Sequence, residues 1–153
     1  ATATMIGLVI ACRVILSGAL QPPFGYLADK VNRFTLICIG SFIIAVGMFS
    51  VPYIPSISGI FYLFAILAIF EGMTEPAAMA IMVDKGRTFG MGRLTGLNTM
   101  AWGSGTLVAG FAGGFIMDSV GLEYTFRLAT VTGILGTAAI GALYILSKSR
   151  TTT

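Results

Sequence analysis

The chain has 153 residues, of which 56% are hydrophobic and only 10% are charged. A soluble domain of this length has too little interior to bury so much apolar surface, so the composition excludes a soluble fold and predicts an all-α membrane protein. Nine Lys and Arg residues against six Asp and Glu residues give a net charge of +3, but most of the basic residues lie in short segments between long apolar runs. This placement is typical of membrane topology and not of nucleic-acid binding.

Five apolar runs are long enough to cross a bilayer, whose hydrocarbon core needs about 20 helical residues. We predict transmembrane helices near 5–26, 34–53, 58–83, 94–119 and 124–146. The only long uninterrupted polar stretch, 84–93, is predicted to be a loop. Because the connections are short, helices that are adjacent in sequence are expected to run antiparallel.

The basic residues predict how these helices are oriented. Seven of them fall on one side of an alternating topology: Lys30, Arg33, Lys85, Arg87, Arg93, Lys148 and Arg150. The other side carries only Arg127, beside Asp118 and Glu123. By the positive-inside rule the C-terminus is cytoplasmic and the chain starts on the outer side, in a plasma membrane. Five spans that start outside, without a signal peptide, predict a fragment of a longer protein.

Three charged residues lie inside the apolar runs, where each costs at least about 2.5–3.5 kcal/mol unless it has a partner. Arg13 is near the middle of the first predicted helix, and Glu71 is near the middle of the third. These two helices share a direction, so Arg13 and Glu71 can pair at similar depth. Glu75 lies one turn further along the same face as Glu71.

Two interpretations of these charges stay open. In the first, a carboxylate near the membrane midplane takes up and releases a proton, or binds a cationic substrate. In the second, Arg13 and Glu71 form a permanent buried pair. For Glu75 the sequence favours the functional interpretation. For Arg13 and Glu71 it does not decide between the two.

Several other residues accompany these charges. Gln21 and Asn98 are predicted to face a cavity. For Trp102 core packing is favoured over the alternative, which is stacking on a hydrophobic substrate. Pro76 should kink the third predicted helix, because it removes a backbone donor. The pair Pro22-Pro23 is expected only to shape packing at the end of the first helix.

The fourth predicted helix contains small residues at four-residue spacing. One series is Gly105, Ala109 and Gly113, and the other is Gly110 and Gly114. Such spacing is typical of faces on which membrane helices pack closely, with a possible hinge. The two cysteines have no CxxC spacing, and the chain contains no histidine. We therefore expect no metal site, no cofactor and no enzymatic activity.

The segment Gly25-Tyr-Leu-Ala-Asp29-Lys30-Val-Asn-Arg33 resembles the signature cytoplasmic loop of the major facilitator superfamily, G-x-L-a-D-R/K-x-G-R-R/K. Asn32 stands at the second glycine of that pattern, and Phe34 at its last basic residue. The resemblance continues in the segments 71–78, 85–93, 113–118 and 124–126, which are similar to helices ten to twelve of efflux-type members. The five predicted helices are thus identified with family helices eight to twelve, in the C-terminal half.

The resemblance implies a secondary active transporter built from two six-helix bundles, of which this chain forms most of one. The partners it implies are the lipid bilayer, an N-terminal half, a small-molecule substrate and H⁺. It also implies that Gly25, Asp29, Lys30 and Arg33 form a latch between the bundles, with Asp29 accepting hydrogen bonds from a neighbouring helix N-terminus.

The function predicted from these features is proton-coupled export of a small hydrophobic or amphipathic molecule. One alternative is a small stand-alone membrane protein that oligomerises as a pore or serves as a structural subunit. Another is a transporter half that imports a sugar or metabolite.

Overall fold

The computed structural model describes residues 3–149, and it describes the side chains of residues 4–146. Its five long helices are α1 (Ala3–Lys30), α2 (Arg33–Ser50), α3 (Ile57–Phe89), α4 (Met91–Ser119) and α5 (Leu122–Ser149). A short 3₁₀ helix, Val51–Tyr53, follows α2. All five long helices have the length and hydropathy to cross a membrane, which confirms the predicted all-α membrane fold over this part of the chain.

Local sequence signals explain where the helices begin. The Oδ1 atom of Asn32 accepts a hydrogen bond from the backbone N–H of Phe34 at 3.0 Å and so caps α2. Ser56 caps α3 in the same way, through the N–H of Gly59 at 3.1 Å. Gly90 and Gly121 precede α4 and α5 with φ angles of 91° and 114°, a region that only glycine adopts readily.

The prediction of a loop over 84–93 is wrong. Helix α3 continues to Phe89 and α4 begins at Met91, so the chain leaves the helical conformation only at Gly90. The physical reason is that a change to polar residues ends the membrane-embedded part of a helix but leaves its backbone hydrogen bonds intact. Likewise α1 extends beyond its predicted end at residue 26 to Lys30. It is helical through Pro22 and Pro23.

Glycines allow close approach between the helices that pack around α3. Gly72 of α3 lies against α1, where an added Cβ would be 2.8 Å from the carbonyl oxygen of Ser17. Gly40 and Gly47 of α2 lie against α3, the latter with Leu67 inserted beside it. On its other side α2 packs against α5, where Gly133 faces Ala45. The packed order is therefore α1, α3, α2 and α5.

Helix α4 contacts α3 and α5 and has no buried residue. A Cβ added at Gly105, Gly110 or Gly114 would meet nothing within 4 Å, and one at Gly113 would meet only the methyl group of Thr125 at 3.7 Å. The small-residue faces of α4 are therefore not used for close packing by residues 3–149. Their predicted role in packing or as a hinge stays a prediction.

The glycine at position 72 gives a direct test of the α1–α3 packing. We expect Gly72→Ala to lower the free energy of unfolding by about 1–3 kcal/mol, because the new Cβ would clash with the backbone of α1. Thermal unfolding of the detergent-purified protein measures the change. Gly136→Ala is the matched control, since a Cβ there meets nothing within 4 Å. Equal melting temperatures for the two variants would contradict the packing described.

Candidate functional site

Arg13 and Glu71 form a bidentate ion pair between α1 and α3. The Nε atom of Arg13 donates to Oε2 of Glu71 at 3.0 Å, and Nη2 donates to Oε1 at 3.1 Å. The guanidinium group also lies 5.5 Å from the centroid of the Phe64 ring. Both carboxylate oxygens of Glu71 are used by one arginine, so this pair carries no net charge.

Glu75 has a different partner. The Nε2 atom of Gln21, on α1, donates a hydrogen bond to Oε2 of Glu75. Glutamine is neutral, so it satisfies one acceptor without cancelling the charge of the carboxylate. Glu75 is exposed, while Arg13 and Glu71 are partly buried. Of the two mid-helix carboxylates, Glu75 alone keeps an unneutralised negative charge among residues 4–146.

Glu75 opens onto a groove of about 510 Å³ between α3 and α4. Asn98 and Trp102 line it from α4, as predicted for Asn98. The rest of the lining is largely apolar: Ala78, Met79, Ile81, Met82, Leu94 and Leu97, with Lys85 at one end. Lys85 is ten residues from Glu75, roughly 15 Å along the helix. The groove therefore combines the carboxylate of Glu75 and the ammonium group of Lys85 with an amide and an indole ring on apolar walls.

Trp102 does not pack in the core as expected. Its exposed fraction is 73%, and no residue of α4 is buried. A sequence pattern cannot distinguish a cavity-lining aromatic residue from a core one, since both stand in an apolar helix.

Pro76 directly follows Glu75 in α3. Helix α3 is continuous through it, and a second groove of about 470 Å³ is lined by Gln21, Pro22, Glu75, Pro76 and Met79. Gly25 faces Pro76, and a Cβ at Gly25 would lie an ordinary 3.9 Å from the Pro76 Cβ. Within the described chain Gly25 is therefore not required for close approach.

Arg33 joins three helices at the end of the bundle where the predicted latch lies. Its Nη2 atom is 3.4 Å from Oδ1 of Asp29, and its Nη1 atom donates to Asp84 and, at 3.4 Å, to the carbonyl of Ala80. Its Nε atom donates to the carbonyl of Ala28 at 3.4 Å. Arg33 starts α2 and thus binds the end of α1 and the side of α3.

The other predicted latch residues have separate contacts. Lys30 does not pair with Asp29; its ammonium group lies 4.2 Å from the ring centroid of Tyr26, because it sits four residues beyond that ring on the same face of α1. For Asp29, the partner among the described residues is Arg33, and the expected helix N-terminus stays a prediction. Asp84 was not recognised from the sequence as part of this cluster, because it was placed in a loop.

A second charged cluster lies where α5 begins. The Nη2 atom of Arg127 donates to the hydroxyl of Tyr53 at 3.2 Å and also to the carboxylate of Glu123. The guanidinium lies 5.3 Å from the ring centroid of Tyr124. This cluster ties α5 to the 3₁₀ helix that follows α2, at the end of the bundle opposite Arg33.

The Arg13–Glu71 pair predicts a distinctive pattern of stability. Arg13→Gln or Glu71→Gln alone should destabilise the protein by at least about 2.5 kcal/mol, because one charge stays in the membrane without its partner. The double variant should recover most of the loss, since no charge is left. Thermal unfolding and the monodisperse fraction in gel filtration measure this. A double variant as unstable as the sum of the single ones would rule out the pairing.

Comparison with known proteins places these features in a family. The family model of the Major Facilitator Superfamily matches residues 1–153. The multi-drug resistance efflux pump PmrA of Streptococcus pneumoniae is 28% identical over 122 residues, which cover 80% of this chain and 30% of the pump. The human MFS-type transporter SLC18B1 is 24% identical over 160 residues, covering 95% of this chain and 35% of that protein.

A third relative is the human chromaffin granule amine transporter, 27% identical over 126 residues, which cover 80% of this chain and 23% of the transporter. No solved structure gives a significant match. The chain thus spans about a quarter to a third of the length of the curated relatives it matches. The match of the family model over the whole chain, together with the five membrane-spanning helices, shows that the chain belongs to the Major Facilitator Superfamily.

Proposed function

We propose that the chain forms most of one helical bundle of a secondary active transporter, which exports small hydrophobic or amphipathic molecules in exchange for protons. Such transporters expose a site near the membrane midplane alternately to the two sides. The family membership supports transport rather than enzymatic catalysis. Export is supported by the similarity to a multi-drug efflux pump, which covers 80% of this chain.

The observation that carries the proposal is the unneutralised carboxylate of Glu75 in the groove between α3 and α4. An ionisable group in a membrane helix is costly and marks ion or substrate pathways. Glu75 is accessible from the groove, and its hydrogen-bond partner among residues 4–146 is the amide of Gln21. It can therefore exchange a proton without first breaking an ion pair.

The two carboxylates of α3 then have separate roles. The bidentate contact with Arg13 occupies both carboxylate oxygens of Glu71 and holds α1 against α3. Glu75, one turn away on the same helix, is left to take up a proton on one side of the membrane and release it on the other. This arrangement assigns a structural role to the Arg13–Glu71 pair and a coupling role to Glu75.

The lining of the groove favours an amphipathic cation as the substrate. Its carboxylate attracts a positive charge, the exposed indole of Trp102 offers a face for an aromatic ring or a cation, and Met79 and Met82 provide adaptable apolar walls. The carboxamide of Asn98 adds a donor and an acceptor. The names of two relatives, a multi-drug pump and an amine transporter, agree with this substrate class.

The Arg33 cluster is the proposed latch. Arg33 holds the ends of α1, α2 and α3 together, and Asp29 leaves 69% of its side chain exposed for a further partner. We propose that this partner is the N-terminal half of the transporter, that the cluster faces the cytoplasm of a plasma-membrane protein, and that the contact opens during each cycle. The basic residues Lys85, Arg87 and Arg93 near the α3–α4 turn support this orientation.

The coupling role of Glu75 is tested by neutralising it. We expect Glu75→Gln to lower efflux of an aromatic quaternary ammonium dye at least about tenfold, because the dye loses the carboxylate that attracts its charge and the exchanged proton loses its carrier. Efflux is measured in everted vesicles that contain the complete transporter, under an imposed pH gradient. Glu75→Asp should retain part of the activity.

Asp118→Asn is the matched control, since it removes a carboxylate from α4 outside the groove. It should leave efflux unchanged. Wild-type efflux by Glu75→Gln, with expression equal to that of the control, would refute the assignment of Glu75.

The latch is tested by Asp29→Asn. We expect roughly threefold lower turnover with unchanged substrate affinity, because the substitution weakens an exposed ion pair that biases the conformational equilibrium without contacting substrate. Turnover and Kd are measured separately, by transport and by equilibrium binding. A change confined to Kd would contradict the proposed role.

A further inference from the structure

We propose that Tyr144 of α5 is a positioning residue for the latch: it holds the turn between α1 and α2 in the geometry that Arg33 needs. The hydroxyl of Tyr144 accepts a hydrogen bond from Nδ2 of Asn32 at 2.6 Å. Its ring stacks on the ring of Phe34, with centroids 4.8 Å apart and planes inclined by 25°. We call these two contacts of Tyr144, with Asn32 and with Phe34, the clamp. Its functional consequence rests on the proposed latch, whereas the contacts themselves do not.

Both the oxygen and the nitrogen of the Asn32 side-chain amide form hydrogen bonds. The Oδ1 atom of Asn32 caps α2 by accepting from the N–H of Phe34, and its Nδ2 atom donates to Tyr144. These two bonds need opposite ends of the amide, so together they fix its orientation. The first turn of α2 is thereby attached to α5 through a side chain that also starts the helix.

Asn32 and Phe34 flank Arg33, so the clamp acts on the residue that joins the three helices. The bonds of Arg33 to the carbonyls of Ala28 and Ala80 are long, at 3.4 Å each, and they depend on where the backbone of α2 begins. Tyr144 fixes that backbone on both sides of Arg33. Helix α5 packs chiefly against α2, and Tyr144 links it to the residues on both sides of Arg33.

The same two positions are those at which the loop departs from the family pattern. Asn32 stands where the pattern has glycine, and Phe34 where it has a basic residue. Glycine has no side chain to contact Tyr144, and a basic side chain at position 34 would not form the pair of aromatic rings that Phe34 forms with Tyr144. Both departures therefore have one explanation, which is that this transporter secures the turn from α5.

The test measures how often the turn opens. A cysteine is introduced at Ala28, which is 1% exposed, in the complete transporter with Cys12 and Cys38 replaced by serine. The rate of its reaction with a membrane-impermeant maleimide in everted vesicles reports the open fraction. Tyr144→Phe removes the hydrogen bond and keeps the stack, and should raise this rate roughly threefold to tenfold. Tyr144→Leu removes both contacts and should raise it further.

The coupling between Tyr144 and Asn32 separates a clamp from a general loss of stability. Asn32→Gly alone should raise the rate, and adding Tyr144→Phe to it should change nothing more, because the shared bond is already gone. Tyr62→Phe, an exposed tyrosine of α3, is the control and should leave the rate unchanged. Hydrogen exchange of a peptide spanning residues 28–36 gives the same comparison without the introduced cysteine.

Unchanged labelling rates and unchanged hydrogen exchange in both Tyr144 variants would overturn the proposal. A labelling rate in the Asn32→Gly, Tyr144→Phe double variant that is raised by the product of the two single effects would overturn it as well. The measurement needs neither substrate nor a proton gradient, so it is independent of the proposed function. If Tyr144 and Asn32 are coupled but Asp29→Asn leaves turnover unchanged, the clamp is supported and the proposed latch is contradicted.

Discussion

The exclusion of unpaired charge from the hydrocarbon core is the constraint on which this structure depends. Each of the five helices must be apolar over its span, so a charge inside a span persists only with a partner. Arg13 and Glu71 meet this requirement by pairing across α1 and α3. Their bond fixes the depth of one helix relative to the other, and the contact of Gly72 with the backbone of Ser17 follows at that depth.

The same constraint distinguishes Glu75 from Glu71. It stands one turn from a fully compensated carboxylate, yet its partner is the neutral side chain of Gln21. A carboxylate without a cation is tolerated where water or a ligand reaches it, and the groove beside α4 provides that access. The helix with no buried residue thus supplies Asn98 and Trp102 to the site, because the absence of tight packing leaves the groove open.

At its ends the bundle is held by polar clusters in which one arginine serves several helices. Arg33 contacts α1 and α3 from the start of α2, while Arg127 ties α5 to Tyr53 at the opposite end. Tyr144 adds α5 to the first cluster through Asn32 and Phe34. The loop between α1 and α2 is therefore in contact with the last helix as well as with the two helices that carry the charges.

The sequence by itself determined the number of spans, the helical class and the candidate charges, because hydrophobic length and the cost of buried charge are properties of the chain alone. It also indicated that Arg13 and Glu71 could pair, since their depths follow from position along helices of equal direction. It did not determine the ends of α3 and α4 around Gly90, nor the contact of Arg33 with Asp84, 51 residues away. Only the tertiary structure decided which carboxylate stays uncompensated, that Trp102 lines a groove, and that Tyr144 reaches Asn32 across 112 residues, because each depends on which helix faces which.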